Sequence, residues 1–252
     1  MIDVREHVYG DDPSIGPPDV RTELGGVDYY FLGNGLIQAA VQVATRGEGT
    51  PAGLLVMDPD RLRKKRDALT MDPRTGLDAT LVRVAADGRT RSPVPGRIRA
   101  RWDRRSAVPA VVLDWRAGPL RIRERFTCPD REAASLVRDI MIRNPGREPI
   151  RGSVQTGVRD ARLMKRFTLG PRSSRTLSVR YTLDRARNRL FAEFVGPRAG
   201  APPAASYWRG LAAVSTGDPR LDHFFAASIS QLPASVSRRG VLDGGIWQYN
   251  RE

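Results

Sequence analysis

The sequence predicts a mainly β protein built as two antiparallel sheets packed face to face, followed by helices at its C-terminal end. Apolar residues recur with period two over most of residues 1–198, the spacing of strands with one buried face. Turn signals rich in Gly, Pro and Asn separate these runs at short intervals. No alternation of strands with helical stretches is present, so a parallel sheet with crossover helices is excluded.

Asp28 to Leu32 and Leu36 to Val43 read as a first hairpin about Gly33-Asn34-Gly35, whose Asn and Gly suit a tight turn with φ > 0. Asp58-Pro59 reads as a turn, and Asp60 to Leu69 as one short helix. Leu77 to Val84 and Arg97 to Trp102 follow as strands, with a turn at Asp87-Gly88. Val108 to Trp115 and Leu120 to Phe126 flank Gly118-Pro119. In the second of these, Leu120, Ile122 and Phe126 share one face, and Arg121, Arg123 and Arg125 share the opposite, solvated one. Glu124 reads as part of a charged or cross-strand network. Leu136 to Arg143 and Gly152 to Val158 flank Asn144-Pro145-Gly146, and Gly170-Pro171 leads to the alternating strand Leu177 to Leu183. Arg189 to Val195 is the last strand. Trp102 and Trp115 end strand-like runs and are expected in the core.

Gly196 to Ala205, with Pro197, Pro202 and Pro203, is a linker, and residues 199–240 read as linker plus amphipathic helix. Asp218 suits the N-cap and Pro219 the first helical position, where a missing N–H removes no bond. Leu221, Phe224, Phe225, Ser228, Ile229 and Leu232 then fall on one helical face. Pro233 is expected to kink or end the helix.

Charge narrows the function classes. The chain has 42 Lys and Arg against 28 Asp and Glu, a formal net charge of +14, and a pI near 11.0. Clustered cations neutralise phosphates, but lysine is confined to Lys64, Lys65 and Lys165, and arginine is scattered from Arg5 to Arg251. The densest cluster, Arg61 to Arg66, is interrupted by Leu62 and flanked by Asp60 and Asp67. This distribution argues against a specific nucleic-acid partner. A mean hydropathy of −0.41 describes a soluble globular protein, and no apolar run approaches the roughly 20 residues of a membrane span. Met1 to Pro18 is acidic and proline-dotted, without the basic and apolar stretches of a secretory signal, so the cytoplasm is the expected location. The single cysteine, Cys128, lies in a strand-like run and reads as a small buried thiol.

Common catalytic patterns are missing. His7 and His223 are the only histidines, and with Cys128 they make no zinc-type cluster. His223, beside two phenylalanines on a helix, reads as a surface or partner-facing residue. No phosphate-binding Gly-rich loop and no Gly-x-Ser-x-Gly elbow occurs. Glycoside hydrolysis needs two juxtaposed carboxylic acids, and the sequence pairs none, so no catalytic or metal-ligating residue is assigned.

The stretch Gly244-Gly245-Ile246-Trp247-Gln248-Tyr249-Asn250-Arg251-Glu252 resembles the opening of the (α/α)6 barrel in six-hairpin glycosidases, the glucoamylase-like and bacterial glycogen-debranching-like enzymes. In that family it precedes a Trp-x-Arg-Asp segment whose Arg and Asp grip the terminal sugar. Leu32-Gly33-Asn34-Gly35 looks like the first hairpin of the family's N-terminal supersandwich, a galactose mutarotase-like fold. Arg143-Asn144-Pro145-Gly146 and Phe167-Thr168-Leu169-Gly170-Pro171 also look like parts of it.

The resemblance implies a supersandwich over 1–198, and in 241–252 the start of a barrel whose remainder is missing. It implies a non-catalytic role, scaffolding the barrel and shaping its mouth, with Trp247, Tyr249 and Arg251 as substrate-binding residues. The intact enzyme would act on α-glucan or related oligosaccharides, using barrel glutamates and no cofactor. Two alternatives stand beside it: a separate β-sandwich module that binds carbohydrate or protein, and a basic nucleic-acid-binding module.

Overall fold

The computed structural model describes residues 22–23, 26–47, 50–60, 70, 76–103, 108–196 and 214–237. The fold is mainly β, antiparallel and sandwich-like, and its strands hydrogen-bond into three sheets. The first contains β1 (Thr22–Glu23), β2 (Val27–Gly33), β3 (Gln38–Ala44) and β4 (Ala52–Met57), in that order. The largest has the order β14-β13-β10-β9-β8-β7. Its strands are β7 (Arg99–Trp102), β8 (Ala110–Ala117), β9 (Leu120–Thr127), β10 (Ser135–Arg143), β13 (Ser174–Asp184) and β14 (Arg189–Val195). The third, ordered β12-β11-β5-β6, contains β5 (Arg83–Ala86), β6 (Arg89–Arg91), β11 (Ile150–Val158) and β12 (Ala161–Leu169). A helix, α1 (Pro219–Ser235), follows.

One apolar core joins all three sheets. Tyr30, Val41 and Leu54 come from the first, Ile122, Ile140 and Val179 from the largest, and Val84 and Val154 from the third. Trp102 and Trp115 are buried in it, as their strand positions suggest. On β9, Leu120, Ile122 and Phe126 are buried while Arg121 and Arg123 are exposed, the expected division of faces.

Some elements depart from the pattern. The strand expected over Leu77 to Val84 is instead a 3-10 turn at Asp78–Thr80 that leads into β5. The turn is held because Thr80 links the sheets. Its hydroxyl accepts from Leu54 N–H of β4 at 2.8 Å, and its carbonyl accepts from the Thr156 hydroxyl of β11 at 3.0 Å. Strand β4 shows no alternation because both of its faces are buried, which removes the period-two signal. Strand β12 hides for the opposite reason, since Arg162, Met164, Lys165 and Arg166 are all exposed. Helix α1 runs past Pro233 to Ser235, the proline lying in the final turn. Apart from Asp60, the short helix expected up to Leu69 lies outside the described residues, as does the linker beyond Gly196.

β4 is an edge strand, and its outer backbone groups are sealed by threonines. Val56 N–H donates to the Thr70 hydroxyl at 3.1 Å, which donates on to the Leu54 carbonyl at 2.5 Å. With Thr80 on Leu54 N–H, side chains occupy positions a further strand would use.

Candidate functional site

Trp247, Tyr249 and Arg251 lie outside the described residues, as does Trp208. The described part of the candidate site is the seat of helix α1 on the β2–β3 hairpin, built around the Leu-Gly-Asn-Gly stretch.

Both faces of the first sheet are apolar. Tyr29, Phe31, Ala40, Leu55 and Met57 point away from the main core and form a second cluster with Leu77 and Ala234 of α1. The helix is capped by Asp218, whose carboxylate accepts from Arg220 N–H at 2.8 Å. It approaches through small residues. At about 100° per residue, His223, Ala227 and Ala234 share one side, and all three are buried. A Cβ on Gly33 would lie 2.7 Å from Ala234 Cα and 3.0 Å from the Pro233 carbonyl oxygen, so only glycine permits this approach. Gln38, paired with Gly33 in the hairpin, donates from Nε2 to the Ala234 carbonyl.

The turn itself differs from the expected φ > 0 pair. Only Gly35 has the left-handed conformation, at φ 82°. Asn34 is instead used for its side chain and is buried. Its Oδ1 accepts from Leu36 N–H at 3.0 Å and Ile37 N–H at 3.1 Å, closing the turn. Its Nδ2 donates to the Asp130 and Ala133 carbonyls at 2.5 and 2.8 Å, in the connection between β9 and β10. One amide thus ties the first hairpin to the largest sheet. Asn144 repeats the device, donating to the Glu148 carbonyl at 2.7 Å and the Gly170 carbonyl at 3.1 Å. It joins the two turns read separately from the sequence.

His223 requires a correction. It was read as a surface or partner-facing residue, and the surface placement is overturned: it is buried on the docked side of α1, 7% exposed. Most of the predicted apolar stripe lies on the far side, with Phe224 on the flank. Leu221, Phe225 and Leu232 sit nearly opposite Ala227 and Ala234 by helical phase. Leu221, Phe224, Phe225 and Ile229 are half-buried, and Leu232 is 57% exposed. The Phe224 and Phe225 rings meet edge to face at 5.7 Å. The helix is therefore apolar on two opposite sides, and the sandwich covers the one lined with small residues.

The charges inside the sandwich form a closed network. Arg138 and Glu124 have fully buried side chains and pair directly, with Arg138 Nε donating to Glu124 Oε2 at 2.7 Å. Trp115 Nε1 donates to Glu124 Oε1 at 2.5 Å. Arg138 Nη1 also donates to the Thr80 carbonyl and, at 3.3 Å each, to the Thr156 and Tyr181 hydroxyls. Burial works against the guanidinium charge, but Glu124 and Tyr181 beside it hold its pKa above the ordinary arginine value. Glu124 fills the cross-strand role expected of it. Arg138 was missed, although a signal existed: both residues occupy inward positions on neighbouring strands, where an unpaired charge is intolerable.

Burial pushes the Cys128 thiol up to about 12. The native chain is therefore expected to resist a thiol-specific disulfide reagent at about pH 8 and to react once unfolded. Stoichiometric labelling without denaturant would contradict the buried placement.

A cleft of about 350 Å³ opens where β2 and β3 face β7, lined by Asp28, Tyr30, Thr45 and Arg99 among others. Tyr30 and Trp102 meet edge to face at 6.4 Å, yet both are buried and offer no open ring for stacking on a sugar. Among the described residues, no group of three His, Cys, Asp or Glu side chains is arranged to hold a metal ion. No described helix is long and apolar enough to cross a membrane. No family model, curated protein or solved structure matches the chain.

Proposed function

We propose that the chain is the non-catalytic sandwich-and-helix portion of a six-hairpin glycoside hydrolase acting on α-glucan or related oligosaccharides. Its role in this reading is to scaffold an (α/α)6 barrel and shape the barrel's mouth. The observation that carries the reading is the double-sided helix. Small residues of α1 rest on the hairpin, and by helical phase Leu221, Phe225, Ile229 and Leu232 point away from them, with Phe224 on the flank. Burying one such side chain fully is worth about 1.5–3 kcal/mol, so a helical partner layered on this stripe gains several of these terms together. Gly33 and Gln38 support the reading by fixing the helix to the hairpin, and Asn34 by fixing the hairpin to the largest sheet, as a scaffold requires. The buried Glu124 is committed to Arg138 and Trp115, which removes it as an acid or base.

The purified chain should show no turnover of maltooligosaccharides, glycogen or trehalose. Turnover abolished by changing one of its own glutamates would overturn the non-catalytic assignment. The chain should also bind the dye ANS and self-associate, and Phe224→Ser with Phe225→Ser should reduce both while leaving the β circular-dichroism signal intact. Loss of cooperative melting in that double variant would place the aromatic pair in the sandwich's own core and remove the stripe as a docking face.

A further inference from the structure

We propose that the outer face of the largest sheet binds an acidic polysaccharide through a row of three arginines. Arg116 on β8 lies directly opposite Arg121 on β9, and Arg121 lies directly opposite Arg143 on β10. All three are exposed. Adjacent strands are about 4.7–4.9 Å apart, so three like charges stand side by side with no acid between them.

Like charges directly opposite across a ladder are destabilising, and elsewhere on this face the charge is compensated. Asp114 lies between Arg101 and Arg123 and pairs with both, which hold its carboxyl below the ordinary range against the opposing effect of burial. Asp103 pairs with Arg125 at 3.4 Å. The three-arginine row ends instead at Ser174, opposite Arg143 on β13. Beyond Arg143, the turns joined by Asn144 present Arg147 and Arg172, both exposed, against the single acid Glu148.

The row's setting favours a saccharide over a nucleic acid. Guanidinium groups match carboxylate, sulfate and phosphate oxygens alike in bidentate fashion, so the choice rests on what surrounds the row. Single-stranded nucleic-acid sites add aromatic rings for base stacking. Around the row, the outward positions of β8, β9 and β10 that are not buried supply Asp114, Arg123, Arg125, Asp139 and Met141, and no aromatic residue. The inference is independent of any barrel, because this face lies on a different sheet from the helix seat.

The test is calorimetric titration of the full chain with a heparin octasaccharide, and with a single-stranded oligodeoxynucleotide of equal charge. The variant Arg116→Gln, Arg121→Gln, Arg143→Gln should bind the octasaccharide at least about tenfold more weakly, with a salt slope smaller by about 2. A control removing three arginines from the third sheet, Arg89→Gln, Arg162→Gln, Arg166→Gln, should lose less than about threefold. Because it relieves repulsion, Arg121→Glu should melt no lower than the parent chain and still bind weakly. Equal losses in the two triple variants, no loss in Arg121→Glu, or tighter binding of the oligodeoxynucleotide would overturn the proposal.

Discussion

Arg138→Met is expected to lower the free energy of unfolding by about 3–5 kcal/mol, the cost of leaving a buried charge uncompensated. Glu124 would remain at full burial, with Trp115 as its surviving donor. The Thr80 carbonyl would also lose its guanidinium donor, loosening the node that joins the 3-10 turn to β4 and β11. Domains of this kind have about 5–15 kcal/mol in total, so roughly a fifth or more of the stability is at stake. Replacing the pair together, Glu124→Leu with Arg138→Met, should recover most of the loss, because an apolar pair needs no desolvation of charge. Urea denaturation with an unchanged m-value is the measurement. A loss below about 1 kcal/mol in the single variant would show that water reaches the pair.

Asn34→Ala should cost about 3 kcal/mol. Each buried group left without a partner costs about 1–3 kcal/mol, and three groups lose theirs, the amides of Leu36 and Ile37 and the carbonyl of Asp130, while the Ala133 carbonyl keeps the Ser135 N–H. Water can reach some of these groups, which keeps the total below the simple sum. Asn34→Asp should be no better, since it keeps the acceptors and turns a carboxylate oxygen toward two carbonyls. Hydrogen exchange should accelerate at Leu36 and Ile37 in either variant, with strands of the third sheet unaffected. Wild-type protection at those two amides would mean that the turn closes without the side chain.

The sandwich was legible wherever a strand has one wet face. β9 and β13 alternate cleanly, and β14 was bounded at Arg189 and Val195 as observed. Strand β4 was not legible, because burial on both sides leaves a continuous apolar run that a helix or strand can produce. The 3-10 turn at Asp78–Thr80 was misread as strand since its reason is tertiary: three sheets compete for the polar atoms of Thr80. At the candidate site, the apolar stripe of α1 was readable from its spacing. The seat beneath it was not, because Gly33, Gln38, Ala227 and Ala234 carry no amphipathic signal, and their value lies in how closely two backbones approach. Asn34 was recognised as a turn residue, but its reach to Asp130 and Ala133 spans nearly a hundred positions and leaves no local trace.

The threonine seal on β4 also dates an exposed interval in the chain's synthesis. Leu54 and the Thr80 hydroxyl that covers its N–H are 26 residues apart. At a synthesis rate of about 5–20 residues per second, β4 leaves the ribosome about one to five seconds before its cover. During that interval an apolar strand with an open edge, already able to pair with β3, faces every neighbouring nascent chain. Slowing translation between Met57 and Thr80 would lengthen this interval without changing a single contact in the finished protein. Codon choice across that stretch therefore bears on how much of the chain reaches its native form, even where the final fold is amply stable.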